Sequence, residues 1–229
     1  MKTRHLGLLA LLFSIGCTSV SYTHPEVATI RSYRTIAVLP VEMVFTGKAP
    51  AGWTAEQILD VEEAESLAFQ TSLYGRLLER ADRGRLDADV QPVDETNRLL
   101  GEVGVGVRES WSLPAEELAE ILGVDAVART RVEKTRYMSD LASFGIEAGT
   151  YVLYEIFDDD HDDHVVEFPW LFGLTKTHDI SADGALVSGY DGTVLWQVEV
   201  YRSINWTRSA NEVIEGITRK LARKFPYRS

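Results

Sequence analysis

The chain has 229 residues, 45% of them hydrophobic and 25% charged, which are ordinary proportions for a globular protein. With 35 acidic against 23 basic side chains its formal net charge is −12. So acidic a composition argues against nucleic acid as a partner and against a general electrostatic grip on anionic lipid.

Lys2 and Arg4 precede an apolar run over residues 6–15, which Gly16 and Cys17 close. The run is too short to cross a bilayer, which takes about 20 apolar residues. It fits the hydrophobic region of a secretory signal. The tetrapeptide Ser14-Ile15-Gly16-Cys17 resembles the lipobox of bacterial lipoproteins, with serine where leucine is usual. That resemblance implies cleavage before Cys17 and a diacylglycerol group on its thiol. Cys17 is the one cysteine of the chain, and an exported domain with a lone free thiol would be an oddity. The alternative is an ordinary signal peptide in which Cys17 falls by chance. Thr18 follows where aspartate would resemble an inner-membrane retention signal, so the expected address is the outer membrane, facing the periplasm. One acyl chain binds a membrane only weakly; bacterial lipoproteins resemble a solution to this by carrying two or three. The expected organisation is a signal peptide over 1–16, a lipidated polar tether over 17–32, and one α/β domain over 33–229, a length sufficient for a single core.

The domain opens with Arg34-Thr35-Ile36-Ala37-Val38-Leu39-Pro40-Val41, a compact apolar run that reads as a buried strand. Residues 46–52 read as loop. A long helix is expected over 54–83, with Ala64, Leu67, Tyr74, Leu77, Leu78 and Ala81 near helical spacing, and Gly84 as its stop. Asp89-Val90-Gln91-Pro92-Val93 reads as a short strand near an edge, because Pro92 cannot donate to a ladder. Asp94 is positioned to cap a short helix over 95–100. Residues 101–112, with Gly101, Gly104 and Gly106, read as a flexible loop; their glycines follow a helix, whereas a dinucleotide-binding turn follows a strand.

Pro114 and the acids Glu116 and Glu117 open a further helix that Gly123 closes. An alternating strand follows to about Tyr137, and residues 150–157 form another β-rich run. Strands over 180–187 and 193–202 flank Asp191-Gly192, a hairpin signal. In the second strand Val194, Trp196 and Val198 alternate and are expected to share one buried face. Ser209 is placed to cap a last helix over 210–225, with Val213, Ile214, Ile217 and Leu221 on one side. The fold class expected is α/β: a single mixed β-sheet with a βαβα start, a C-terminal β-meander and a closing helix.

Several of these pieces occur together in a group of envelope lipoproteins. Ile36-Ala37-Val38-Leu39-Pro40 resembles the first strand of a fold shared by three kinds of protein. They are the curli-secretion channel lipoprotein, the lipoprotein activator of penicillin-binding proteins, and the N-terminal domain of the Tol-system propeller protein. The chain is most similar to a family of outer-membrane lipoproteins of unassigned function with that fold. Val90-Gln91-Pro92-Val93 followed by Asn97, Leu99 and Leu100 resembles its second strand and short helix. Leu122-Gly123-Val124-Asp125-Ala126-Val127 resembles its entry into the third strand, and Asp191-Gly192-Thr193-Val194-Leu195-Trp196 its hairpin. The resemblance spans residues 33–225, with the segment near 158–178 as an insertion. It implies accessory roles in secretion, transport or cell-wall synthesis.

Two stretches carry candidate chemistry. Asp158-Asp159-Asp160-His161-Asp162-Asp163-His164 places carboxylates and imidazoles close together, and Asp160, His161, Asp162 and His164 are candidate ligands for a divalent cation. The run has no glycine for the turn of a calcium loop, and a solvated acidic loop is the competing reading. Phe168-Pro169-Trp170-Leu171-Phe172-Gly173-Leu174 follows, and Trp170 and Phe172 are candidate partner contacts; burial in the core is the alternative. No Gly-x-Ser-x-Gly elbow is present, His24 and His178 are isolated, and Glu62-Glu63 and Glu116-Glu117 read as solvated helix charges. No enzyme activity and no cofactor are expected. The expectation is a membrane-anchored envelope lipoprotein acting as a non-catalytic accessory or interaction component. Its partners would be unidentified envelope proteins, with homo-oligomerisation open. The alternative is a ligand- or metal-binding lipoprotein using the Asp/His run.

Overall fold

The computed structural model describes residues 19–24, 33–47, 52, 54–136, 178–204 and 210–226. In chain order the elements are β1 (Ser19–Thr23), β2 (Thr35–Val38), β3 (Glu42–Gly47), α1 (Ala55–Asp82), β4 (Asp89–Val90), α2 (Val93–Glu102), α3 (Val107–Ser112) and α4 (Ala115–Leu122). Then come β5 (Ala126–Arg136), β6 (His178–Ser188), β7 (Val194–Ile204) and α5 (Ala210–Lys224). The strands form one mixed sheet in the order β1-β7-β6-β5-β2-β4, with β3 also paired to β5. This is the α/β architecture that the sequence predicts, closing helix included. Among the described residues no helix is long and apolar enough to cross a membrane.

The β2–β3 unit is one extended run interrupted at Pro40. Ile36 to Val38 pair in parallel with the start of β5, and Glu42 to Gly47 continue along its second half. Leu39 still donates to the Ala128 carbonyl at 3.1 Å, and the register then shifts by one residue around Pro40, from Val38 opposite Ala128 to Glu42 opposite Arg131. Residues 46 and 47 are therefore strand, not loop. The polar tether also needs correction: Ser19 to Thr23 pair antiparallel with Val200 to Trp196 and form an edge strand. Val20 and Tyr22 alternate with Ser19, Ser21 and Thr23, a short strand pattern, and the free edge of β7 pairs with it through the backbone. β4 lies at the other edge, as Pro92 predicts.

Thr54 caps α1 and Gln57 returns the bond to the Thr54 N–H, a reciprocal capping box. The buried stripe of α1 is Ser66, Phe69, Gln70, Leu73 and Leu77, and Leu67 stands 36% exposed. The expected stripe is thus rotated, because two polar residues occupy core positions. Gln70 is satisfied there: its Nε2 donates to the Val38 carbonyl (2.8 Å) and to Asn97 Oδ1 (3.0 Å), and Asn97 Nδ2 donates back at 3.1 Å. Two more expectations change nearby. Pro92, not Asp94, occupies the N-cap of α2, and the supposed glycine loop contains α3, with Gly106 at its N-cap.

α1 and α5 cover one face of the sheet. Val213, Ile214, Ile217 and Leu221 of α5 are buried there, as their spacing predicts. Among the described residues the opposite face is covered near the start of β5, where α2 and α4 bury Leu100, Leu118 and Leu122 against Ala37, Leu39, Val127 and Val187. Trp196 and Val198 lie in the core under α5, but Val194 is 39% exposed. The register slips here: Leu186 pairs with Trp196 and Val187 with Val194, so Leu195 is an extra residue and the alternation resets.

Asp125 ties the strand starts together. Its carboxylate accepts from the Arg34 N–H (2.8 Å), the Thr35 N–H (2.9 Å) and the Tyr190 hydroxyl (2.8 Å). Burial pushes this carboxyl up, but the three donors outweigh it and hold it below the usual carboxylate range. Tyr33 completes the knot, donating to Ser188 Oγ at 2.9 Å with its ring 5.6 Å from that of Tyr190.

Candidate functional site

Beyond α2 and α4 the second sheet face carries a row of charged side chains. The pairings align Glu42, Arg131, Asp183 and Glu199 in one row across β3, β5, β6 and β7. With side chains alternating along each strand, these four project to the same side. Arg131 donates to Glu42, whereas Asp183 and Glu199 stand directly opposite as like charges, an unfavourable cross-strand pair. Burial, followed by the charges of Glu199 and Glu133, pushes the Asp183 carboxyl up against the opposing pull of Arg131.

Where this face meets α3 there is a cleft of about 170 Å³, lined among others by Leu39, Trp111, Arg129, Arg131, Asp183 and Gln197. Arg129 reaches across it to donate to the Leu113 carbonyl. Burial pulls its guanidinium below the usual arginine range, although Glu42 and Glu116 act the other way. The Arg108 guanidinium lies 5.2 Å from the Trp111 ring centroid, within cation–π range. Arg108 is itself held by Glu62 and by Glu63, the latter at 3.4 Å. These two acids therefore converge on one guanidinium instead of facing solvent separately.

Arg129 and Trp111 both line the cleft, and their Nε and Nε1 are buried with no acceptor among the described residues. A buried donor left unsatisfied costs about 1–3 kcal/mol, so an oxygen acceptor that reached either one would relieve that cost.

Among the described residues no group of three or more His, Cys, Asp or Glu side chains is arranged to hold a metal ion. Cys17, the candidate ligands Asp160, His161, Asp162 and His164, and the candidate contacts Trp170 and Phe172 all lie outside the described residues. So do the expected strand over 150–157 and the Ser209 cap. His24 ends β1, its N–H donating to the Leu195 carbonyl at 2.9 Å. Sequence reasoning did not single out Trp111, Arg129 or Asp183. The available signal was arginine at positions 129 and 131 of a strand otherwise rich in small and aliphatic residues.

The like-charge pair gives a test of this geometry. A carboxyl raised in the folded state contributes stability that is complete below its unfolded value, about 3.9. That contribution is lost as pH rises through the folded value. Asp183→Asn should therefore raise Tm at pH 7 by roughly 1–2 °C, the scale of one partly solvated like-charge contact. The gain should shrink towards pH 3.5. Equal midpoints at pH 7 would show that Asp183 and Glu199 do not face each other.

No protein-family model matches the sequence, and no curated protein matches it. Solved structures similar to this chain include the PelC dodecamer from Paraburkholderia phytofirmans, at 13% identity and a TM-score of 0.46, covering 93% of this chain and 99% of that one. The lipoprotein GNA1162 from Neisseria meningitidis is similar at 13% identity and a TM-score of 0.42, covering 83% and 94%. The LpoB C-terminal domain from Escherichia coli is similar at 10% identity and a TM-score of 0.35, covering 79% and 94%. A lipoprotein is thus among the neighbours, as the sequence resemblance implied. Likeness at this level describes the course of the chain and assigns no activity.

Proposed function

We propose that this protein is an envelope lipoprotein, anchored through lipid on Cys17, whose folded part acts as a non-catalytic interaction component. The anchor would place it at the outer membrane, facing the periplasm. The observation that supports the interaction role is the cleft beside α3, lined by Arg129 and Trp111, whose buried Nε and Nε1 donors have no acceptor among the described residues. An extended segment of a partner protein offers carbonyl and carboxylate oxygens, and the rim of the cleft supplies Arg131, Asp183 and Gln197 for register. Aromatic and arginine side chains in partly closed pockets are where binding energy concentrates.

A photocrosslinking residue in place of Gln197, which is exposed at this cleft, should give one discrete adduct in intact membranes. The same residue in place of Thr71, exposed on α1, should give none. Trp111→Phe keeps an aromatic ring but removes the donor, and should lower adduct yield at least fivefold in protein that still unfolds cooperatively. Equal labelling from both positions, or indifference to Trp111→Phe, would refute the cleft as the contact.

A further inference from the structure

A second cleft, of about 500 Å³, lies between the C-terminal ends of α1 and α5. Its lining is Arg76, Glu79, Arg80, Arg83, Arg85, Arg219, Ala222, Arg223 and Lys224. Seven of these nine are cationic, in a chain whose formal net charge is −12. Some have internal work. Arg80 donates to the carbonyls of Ala222, Phe225 (3.1 Å) and Arg85 (2.9 Å), clamping the two helix ends together. Arg76 is paired with Glu79 (2.9 Å) and Glu215 (3.2 Å), and Arg219 with Glu215 (3.5 Å).

Arg83, Arg85, Arg223 and Lys224 are exposed, and among the described residues no carboxylate pairs with them. Cations in the last turn of a helix interact favourably with its dipole, which accounts for one or two residues per helix. It does not account for Arg85, which lies beyond α1, nor for four uncompensated cations held beside one cavity when acidic residues are in excess. Repulsion among them is unfavourable in the empty state and is relieved by a bound anion.

We infer that this cleft binds a soluble ligand carrying closely spaced phosphate groups. Guanidinium forks match phosphate oxygens in bidentate geometry. A phosphate brings up to two negative charges on three acceptor oxygens, so two or more together match this density of cations better than single carboxylates do. The lining offers a single apolar residue, Ala222, so a ligand must be held by charge. The cleft also lies at the opposite end of β7 from Ser19. β1 runs from beside Val200 to beside Trp196, so it begins towards the end of β7. The C-terminal end of α5 packs at the start of β7, with Phe225 5.1 Å from Trp196. Given the anchorage proposed above, a ligand would come from the side opposite the bilayer.

Calorimetric titration of the full-length protein in detergent with sodium tripolyphosphate tests this. One site is expected, weakened at least tenfold by raising salt from 50 to 300 mM and at least tenfold by Arg83→Gln with Arg223→Gln. The double variant should keep Tm within about a degree, because neither side chain makes an internal contact. Arg98→Gln, elsewhere on the surface, should leave binding unchanged. Pentaaspartate and dihexanoyl phosphatidic acid should each bind at least tenfold more weakly. Tighter binding of the peptide would make the occupant an acidic protein segment, and tighter binding of the short-chain lipid would make it a membrane headgroup; either result overturns the proposal. So would tripolyphosphate binding that is absent or indifferent to the double variant.

Discussion

Trp196→Ala is expected to cost about 3–5 kcal/mol, the usual loss for a large buried aromatic side chain. Trp196 is 2% exposed and sits where three elements meet. Its ring lies 5.1 Å from Phe225 at the end of α5. On β6, Leu186 stands opposite Trp196 and Gly184 lies two positions along, where an added Cβ would approach Leu221 Cδ2 to 3.1 Å and Trp196 Cη2 to 3.5 Å. The glycine leaves the space that the indole and Leu221 fill. Removing the indole opens a cavity under α5 that these neighbours fill only in part, since interiors are close-packed. Denaturant unfolding checks it: a loss below about 1 kcal/mol would mean that α5 does not lie on this face. Val194→Ala, on the exposed side of the bulge, should change stability by less than about 0.5 kcal/mol.

Asp125→Ala should cost about 1–3 kcal/mol, because it removes the acceptor of the Arg34 and Thr35 N–H groups. The Thr35 N–H is the partly buried one and carries most of that cost; the Arg34 N–H is exposed and can turn to water. The effect depends on pH. The Asp125 carboxyl is held low in the folded state. Its stabilisation is therefore present above the unfolded value, about 3.9, and lost as pH falls through the folded value. The gap between wild type and Asp125→Ala should be constant near neutrality and narrow below about pH 4. A gap that widened on acidification would contradict the donor arrangement around Asp125.

Elements that announce themselves by backbone chemistry were legible in the sequence. Gly123 adopts φ 67° at the C-cap of α4 and Gly192 φ 68° in the β6–β7 hairpin, conformations that favour glycine. Thr54 with Gln57 likewise marks the start of α1. What escaped depends on tertiary context. β1 is five residues long, so the alternation of Val20 and Tyr22 with Ser19, Ser21 and Thr23 is brief, and the strand is fixed by the free edge of β7. The buried face of α1 is disguised by Gln70, which is admitted to the core only because Asn97 and the Val38 carbonyl satisfy it. The bulge at Leu195 resets an alternation that the sequence shows unbroken. The cleft beside α3 is built from residues up to 158 positions apart, Leu39 to Gln197, brought together by sheet register. The stretches that looked richest in chemistry, 158–164 and 168–174, lie outside the described residues, so the site described above rests on quieter ones.

Anchorage through Cys17 underlies the whole proposal, and the intact mass of the mature protein from membranes tests it most directly. Wild type should begin at Cys17 with the added mass of a diacylglycerol group, and should sediment with membranes. Cys17→Ser should carry no lipid, escape cleavage before position 17, and release any processed form to the soluble fraction. A wild-type protein of unmodified mass, or a Cys17→Ser variant processed and fractionating like wild type, would contradict it.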